Sequence, residues 1–288
     1  MNLTIRILFL FLISASFATL TQAEVNSNCV RSLLPEVISP VVPKFSTSFA
    51  ERHPNVLRKL DHLEAEFHGE VLEMPRRKSS LTPKELEIKF VEVSKRFEDA
   101  FQEIRGMGAG DAKFEGVMDQ SIANLRLKDS SLNRLRRKIE KHTITQFEAD
   151  EIVYNLYTKL LGDIAEVRFA LQVPEYIARG KHLPDVVAMF SSEERRALAL
   201  NYLKDNQING EIDVIFKSDS GKIVWCEAKN YQNYLKASAQ ARTLLQQLTK
   251  ITELRNKVDP NIEIHLYVLH GMTKGMRAKF ENIGVYVY

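Results

Sequence analysis

Acidic and basic side chains lie at matching positions of two neighbouring segments in the C-terminal half. The first segment reads Gly-Glu-Ile-Asp-Val-Ile-Phe and contains Glu211 and Asp213; the second reads Lys-Ile-Val-Trp-Cys-Glu-Ala-Lys and contains Glu227 and Lys229. Both are rich in β-branched and aromatic residues, which favours strands. Because strand side chains alternate between faces, Glu211 and Asp213 share one face, and Glu227 and Lys229 share another.

An Asp-Ser-Gly sequence centred on Ser220 joins the two segments. It is typical of a three-residue hairpin loop with glycine at the left-handed position. Such a loop pairs residues that are symmetric about Ser220, so we expect Asp213 near Glu227 and Glu211 near Lys229. Cross-strand neighbours have Cβ atoms about 5 Å apart. The sequence therefore predicts that carboxylates and an ammonium group converge at one end of a hairpin.

This combination of side chains predicts hydrolytic chemistry. Two facing carboxylates raise each other's proton affinity unless a cation lies between them. Carboxylate oxygens suit Mg²⁺, and a neighbouring lysine can position an attacking water or help to deprotonate it. These are the requirements for cleaving a phosphodiester bond. The alternative is a surface hairpin that carries a salt bridge.

The two segments resemble the second and third motifs of the PD-(D/E)xK nuclease superfamily. The resemblance is closest to its restriction-endonuclease-like and Holliday-junction-resolvase-like members, and it covers about residues 150 to 288. It implies an α/β fold with a mixed sheet flanked by helices. The family's aspartate, glutamate and lysine match Asp213, Glu227 and Lys229. The stretch before Asp213 is longer than a compact member needs, so we expect an insertion over residues 191–209.

The resemblance also implies a ligand set and a cofactor. A helix that precedes the sheet often supplies another glutamate, which Glu166 matches as a catalytic residue. Mg²⁺ is the implied cofactor, with Mn²⁺ as a substitute, bound by Asp213, Glu227 and the backbone carbonyl of Ala228, with Glu166 as a further candidate ligand. The candidates for substrate contact follow the lysine or lie on the next helix, and they are Asn230, Tyr231, Gln240 and Gln247.

These features together predict an exported, Mg²⁺-dependent nuclease, with DNA favoured as the substrate although the sequence does not distinguish DNA from RNA. Two alternatives stay open. The chain could be a toxin or effector nuclease that acts in another cell. It could also be a non-catalytic module that binds nucleic acid or protein on a nuclease-like fold. The sequence distinguishes neither endonuclease from exonuclease activity nor any substrate preference.

Hydrophobic periodicity predicts the elements that position these residues. We interpret residues 146–288 as the nuclease-like α/β domain. Its predicted helices cover residues 147–173, 192–203, 237–257 and 273–281. Its predicted strands cover residues 186–190, 211–216, 223–229, 262–269 and 285–288.

Residues 24–145 are predicted to form an all-helical N-terminal domain, for which a protein partner is a candidate. Helices are expected over residues 54–68 and 118–142, the latter with a break near Ser130. Between them, Thr82-Pro83-Lys84-Glu85 is typical of a helix start, with a capping threonine and a glutamate that closes the capping box.

The first 23 residues have the pattern of a secretory signal peptide: a basic Arg6, an apolar run over 7–20 and a small Ala23. The apolar run is shorter than the roughly 20 residues that span a bilayer. We therefore expect a periplasmic or secreted protein with no membrane association after cleavage. The net charge of +3 does not by itself indicate a nucleic-acid partner. Cys29 and Cys226 could form one disulfide, and the sequence leaves this open.

Overall fold

The helices and strands follow the hydrophobic periodicity of the sequence. The computed structural model describes residues 37–38, 54–73, 81–127, 129–230, 235 and 237–288, with side chains left out for 37–38, 70–73 and 124–131. The helices are α1 (Pro54–Glu73), α2 (Pro83–Met107), α3 (Ala112–Leu127), α4 (Asp129–Glu140), α5 (Gln146–Gln172), α6 (Leu183–Phe190), α7 (Glu193–Asp205), α8 (Ala239–Val258) and α9 (Lys274–Glu281). The strands are β1 (Val37–Ile38), β2 (Glu175–His182), β3 (Glu211–Lys217), β4 (Ile223–Lys229), β5 (Glu263–Val268), β6 (Met272–Thr273) and β7 (Val285–Val287).

Five strands form one mixed sheet in the order β2-β3-β4-β5-β7. The pairs β2–β3 and β3–β4 are antiparallel, whereas β4–β5 and β5–β7 are parallel. In the β3–β4 hairpin, Val214 lies opposite Cys226 and Lys217 lies opposite Ile223. Gly221 has a φ of 79°, in the left-handed region. The predicted turn is therefore confirmed, and the predicted register about Ser220 is confirmed from Lys217–Ile223 as far as Val214–Cys226.

Helices cover the two faces of this sheet. Val214, Phe216 and Tyr267 belong to a hydrophobic cluster that includes the buried side of α5. Ile215, Trp225 and other strand residues of opposite parity pack with α8 in a second cluster. Because successive strand residues point to opposite faces, each of the central strands β3, β4 and β5 is buried on both sides. The predicted α/β architecture, a mixed sheet flanked by helices, is confirmed at this level.

Apart from the two-residue strand β1, the elements that the structure describes before α5 are helices, as predicted. Thr82 caps α2 and Glu85 completes the capping box. Phe67 of α1 and Phe97 and Phe101 of α2 join the same cluster as Tyr157 of α5. The described residues from Ile38 to Tyr288 form one compact unit. The helical stretch predicted over 118–142 is confirmed as two helices that are divided close to the predicted break near Ser130, since α3 ends at Leu127 and α4 begins at Asp129. Helix α3 begins earlier than predicted, at Ala112.

The predicted strand over residues 186–190 is wrong, because this segment lies in α6. A short apolar run does not distinguish a strand from a helix by periodicity alone. Pro184 lies in the first turn of α6, where proline is well tolerated. Sequence reasoning missed β2, an edge strand with many polar residues, and the two-residue strands β1 and β6. Helix α7 confirms the predicted helix over 192–203 and occupies the range where an insertion was expected.

Some predicted features lie outside the described residues, namely the signal segment over 1–23, Cys29 and Tyr231. Cys226 is described, and its thiol is free and buried. Among the helices that the structure describes, none combines the length and the apolar character that crossing a bilayer requires.

Candidate active site

Asp213, Glu227 and Lys229 meet at the end of the β3–β4 hairpin. The ammonium nitrogen of Lys229 lies 2.8 Å from Oδ2 of Asp213 and 2.7 Å from Oε2 of Glu227. The predicted convergence of these three side chains is therefore confirmed, while their catalytic role stays a prediction.

The site lies where β3 and β4 separate. Their paired residues end at Val214 and Cys226, whereas β3 remains paired with β2 as far as Glu211 and β4 remains paired with β5 as far as Lys229. Beyond the last β3–β4 pair, the amide N–H of Ala228 donates to Oδ2 of Asp213 at 2.8 Å. A side-chain carboxylate thus accepts a backbone N–H at the point where the two strands part.

The predicted proximity of Glu211 to Lys229 is not observed. Glu211 is exposed and lies opposite His182 of β2. The ammonium of Lys229 instead contacts the two more deeply buried carboxylates. The reason is that the symmetric pairing about Ser220 does not continue to the end of the strands, so cross-strand spacing no longer applies at Glu211.

Glu227 is the most deeply buried acid of the site, with a side chain that is 2% exposed. Burial and the charge of Asp213 raise the pKa of Glu227 to about 8, although the ammonium of Lys229 opposes the shift. Its Oε2 contacts Lys229 and accepts a hydrogen bond of 3.5 Å from Nε2 of Gln247. Its Oε1 is buried and has no hydrogen-bond partner within the described part of the chain. A buried carboxylate oxygen of this kind is a natural cation ligand.

Lys229 remains charged in this setting. Burial alone would lower its pKa, but the charges of Asp213 and Glu227 and the hydrogen bonds to them hold it well above the ordinary value. The side chain is 26% exposed. The ammonium therefore bridges two buried carboxylates while it remains accessible from solvent.

Glu166 reaches the same region from α5. Burial and the charge of Asp213 raise the pKa of Glu166 well above its ordinary value. Its Oε2 lies 3.6 Å from Nε of Arg179, whose Nη2 lies 3.8 Å from Oδ1 of Asp163. Nη1 of Arg179 donates to Oγ of Ser121 at 2.8 Å.

Arg179 is the residue that sequence reasoning missed. Its side chain is fully buried on β2, beside two acids of α5. The only signal was the Glu-Tyr-Ile-Ala-Arg-Gly run of residues 175–180, in which a single arginine follows apolar residues. A buried arginine is normally ion-paired, so recognition of this strand would have pointed to acidic partners.

The ionisable groups of this region include more acids than bases. Four carboxylates, from Asp163, Glu166, Asp213 and Glu227, lie beside two cations, Arg179 and Lys229. The raised pKa values of Glu166 and Glu227 are the physical consequence of this excess, together with burial. Carboxylate oxygens are the donors that a hard cation such as Mg²⁺ prefers, so the predicted Mg²⁺ site stays a prediction.

Only some of the other predicted site residues contact the three central side chains. Gln247 contacts Glu227, whereas Gln240 is exposed near the start of α8. Asn230 follows Lys229 but turns toward α1 and α5, where its Nδ2 donates to the carbonyl of Leu161 at 3.1 Å. The hydrogen bond of Ala228 to Asp213 involves its amide N–H. The role of its carbonyl oxygen as a metal ligand stays a prediction. Tyr231 lies among the residues that the structure does not describe.

Comparison of the chain with protein-family models, with curated proteins and with solved structures finds no match.

Proposed function

We propose that this protein is an exported, Mg²⁺-dependent nuclease with a PD-(D/E)xK-like catalytic core, acting on DNA. One observation carries the proposal. Asp213, Glu227 and Lys229 meet where two central strands separate, and Glu227 presents a buried carboxylate oxygen that has no partner among the described residues. A salt bridge that only stabilised the hairpin would not require this excess of buried acid.

Asp213 and Glu227 would hold the metal ion, with the carbonyl of Ala228 and the carboxylate of Glu166 as further ligands. When bound, Mg²⁺ supplies positive charge to the phosphoryl oxygens and lowers the pKa of a coordinated water. The oxygen-only donor set and the excess of carboxylates fit this ion.

The residues of the chain supply the other requirements. The ammonium of Lys229 lies between the two carboxylates and is accessible from solvent, so it would face a bound substrate. There it can position the attacking water and offset the charge that grows on the phosphate. Gln247 holds Oε2 of Glu227 from the α8 side. Arg179 fixes Glu166 from the β2 side.

The architecture is compatible with this proposal. The catalytic candidates lie on two central strands of a mixed sheet whose faces are covered by α5 and α8. The signal-peptide pattern of residues 1–23 favours action outside the cytoplasm. The net charge of +3 adds no argument for DNA over RNA, so the assay includes both.

The test is a cleavage assay with plasmid, linear duplex and single-stranded DNA and with RNA, in Mg²⁺, in Mn²⁺ or in EDTA. We expect cleavage in either metal and none in EDTA. Asp213→Asn should abolish it. Asp219→Asn is the matched control, because Asp219 lies on the exposed turn of the same hairpin. Absence of cleavage for all four substrates, or equal activity of Asp213→Asn and wild type, would contradict the proposal.

A further inference from the structure

A second group of potential metal ligands lies apart from the catalytic candidates. Glu64 and His68 are one helical turn apart on α1, and His270 follows β5. Oε1 of Glu64 lies 3.4 Å from Nε2 of His68 and 3.4 Å from Nε2 of His270. The two histidine nitrogens are 3.3 Å apart. The three potential ligand atoms thus form a nearly equilateral triangle.

The size of this triangle matches one face of a tetrahedral metal site. Zinc binds imidazole nitrogen and carboxylate oxygen at about 2.0–2.1 Å. The edge of a regular tetrahedron is about 1.63 times the distance from its centre to a vertex, so ligand atoms at that bond length lie about 3.3–3.4 Å apart. The three observed separations fall in this range.

Hydrogen bonding accounts for only part of the arrangement. Nε2 of His68 carries one hydrogen at most, yet it has three polar atoms near it: Oε1 of Glu64, Nε2 of His270 and, at 3.1 Å, Oδ1 of Asn230. A single N–H serves one of these well and leaves the other contacts unsatisfied. A cation in the centre would satisfy Glu64, His68 and His270 together, at the expense of the contact between His68 and Asn230.

The surroundings hold the ligands and leave a route for a metal. The second carboxylate oxygen of Glu64 lies 3.4 Å from Nη1 of Arg168, so Oε1 is the oxygen left to face the histidines. Nδ2 of Asn230 lies 3.3 Å from this Oε1. Outer contacts of this kind orient metal ligands. Glu64 is buried with its side chain 7% exposed, whereas the His270 side chain is 38% exposed, which gives an entry path.

We propose that Glu64, His68 and His270 form a binding site for one divalent transition-metal ion of the zinc type, with a fourth position open to water or to a ligand. Two imidazoles and one carboxylate favour such ions over Mg²⁺, which prefers oxygen ligands. This site is separate from the proposed nuclease centre, because none of its three ligands is among the residues proposed to hold Mg²⁺.

Zinc binding to the full, untagged chain tests the proposal by isothermal titration calorimetry, with metal analysis after dialysis. We expect one Zn²⁺ per chain and a rise in melting temperature when Zn²⁺ is added. His270→Ala should weaken binding by more than the roughly 10- to 100-fold that loss of an outer partner costs. Co²⁺ in place of Zn²⁺ should give the visible absorption of a tetrahedral complex, and His270→Ala should lose it.

Two control variants distinguish zinc binding at this site from zinc binding elsewhere on the chain. His62→Ala removes an exposed histidine from the same helix α1 and should bind Zn²⁺ as wild type does. Asp213→Asn should also bind it normally, even though it inactivates the proposed nuclease. Glu64→Gln, which keeps the side-chain shape, should bind poorly. Failure of wild type to bind Zn²⁺, or unchanged affinity in both His270→Ala and Glu64→Gln, would overturn the proposal and leave a hydrogen-bonded cluster.

Discussion

Replacement of Lys229 by alanine tests whether this lysine acts in catalysis or only stabilises the fold. The ammonium lies 2.8 Å from Asp213 and 2.7 Å from Glu227. At an effective dielectric constant of about 20, each contact represents a gross attraction of roughly 6 kcal/mol. Desolvation offsets most of it, and removal of one partner of a buried ion pair costs about 3–5 kcal/mol. We expect the lower end, about 3 kcal/mol, because the side chain is 26% exposed.

The metal-free Lys229→Ala variant should therefore melt roughly 6–12 °C below wild type. Mg²⁺ should restore much of this loss, because a divalent cation can occupy the region that the ammonium leaves between the carboxylates. The affinity for Mg²⁺ should stay the same or rise, since a competing positive charge is removed. Cleavage in saturating Mg²⁺ should nonetheless fall by about 10²–10³, the cost of losing one preorganised group that stabilises transition-state charge.

Single-turnover rates and Mg²⁺ titrations on the same preparations provide the measurement. Lys222→Ala is the matched control, because Lys222 lies just before β4 and forms an exposed ion pair of 2.7 Å with Glu263. It should retain full activity and nearly full stability. Lys229→Arg should recover little activity, since a planar guanidinium cannot replace a compact ammonium. Wild-type turnover in Lys229→Ala with Mg²⁺ bound would refute the catalytic role and reduce the site to a structural salt bridge.

Three further results are expected. Asp213→Ala and Glu227→Ala should each lower cleavage by at least about a hundredfold while the circular dichroism spectrum is retained; near-normal activity in either would contradict the ligand assignment. The pKa of Glu227 is raised from 4.5 to about 8 in the folded protein, so its protonated form stabilises the fold at low pH, and this contribution is lost as pH rises through about 8. In EDTA, the melting temperature of wild type should fall between pH 4.5 and about 8, and that of Glu227→Gln should fall less. An equal dependence of melting temperature on pH in the two proteins would argue against the raised pKa of Glu227. Arg179→Met should cost about 3–5 kcal/mol in urea unfolding, because it leaves Glu166 buried beside uncompensated acids; a loss below about 1 kcal/mol would show that this ion pair contributes little.

Local sequence determined the central hairpin and the charged side chains that it carries. Alternation identified β3 and β4, and the Asp-Ser-Gly turn predicted a register that the pairing of Val214 with Cys226 confirms. The capping box at Thr82 predicted the start of α2 correctly. These features depend on residues that are close along the chain, so short-range steric and hydrogen-bonding preferences suffice to define them.

Tertiary structure alone decided how far the hairpin stays paired. The separation of β3 from β4 beyond Val214 places Lys229 against Asp213 and leaves Glu211 beside His182. Symmetric pairing about the turn cannot predict this, because the competing partners β2 and β5 come from other parts of the chain. Sequence reasoning also missed edge strand β2. An edge strand tolerates many polar residues, and these obscure the alternation of apolar and polar residues that identifies a strand.

The contacts that span the longest sequence separations were the least predictable. Arg179 meets Asp163 and Glu166 only because β2 folds back beside α5. His68 and His270 are 202 residues apart along the chain and 3.3 Å apart in space. The sequence by itself determined which segments form the hairpin and which side chains face each other next to its turn. Only packing of the helices against the sheet decided which distant charges and imidazoles share a site, because burial brings together groups that local preferences do not connect.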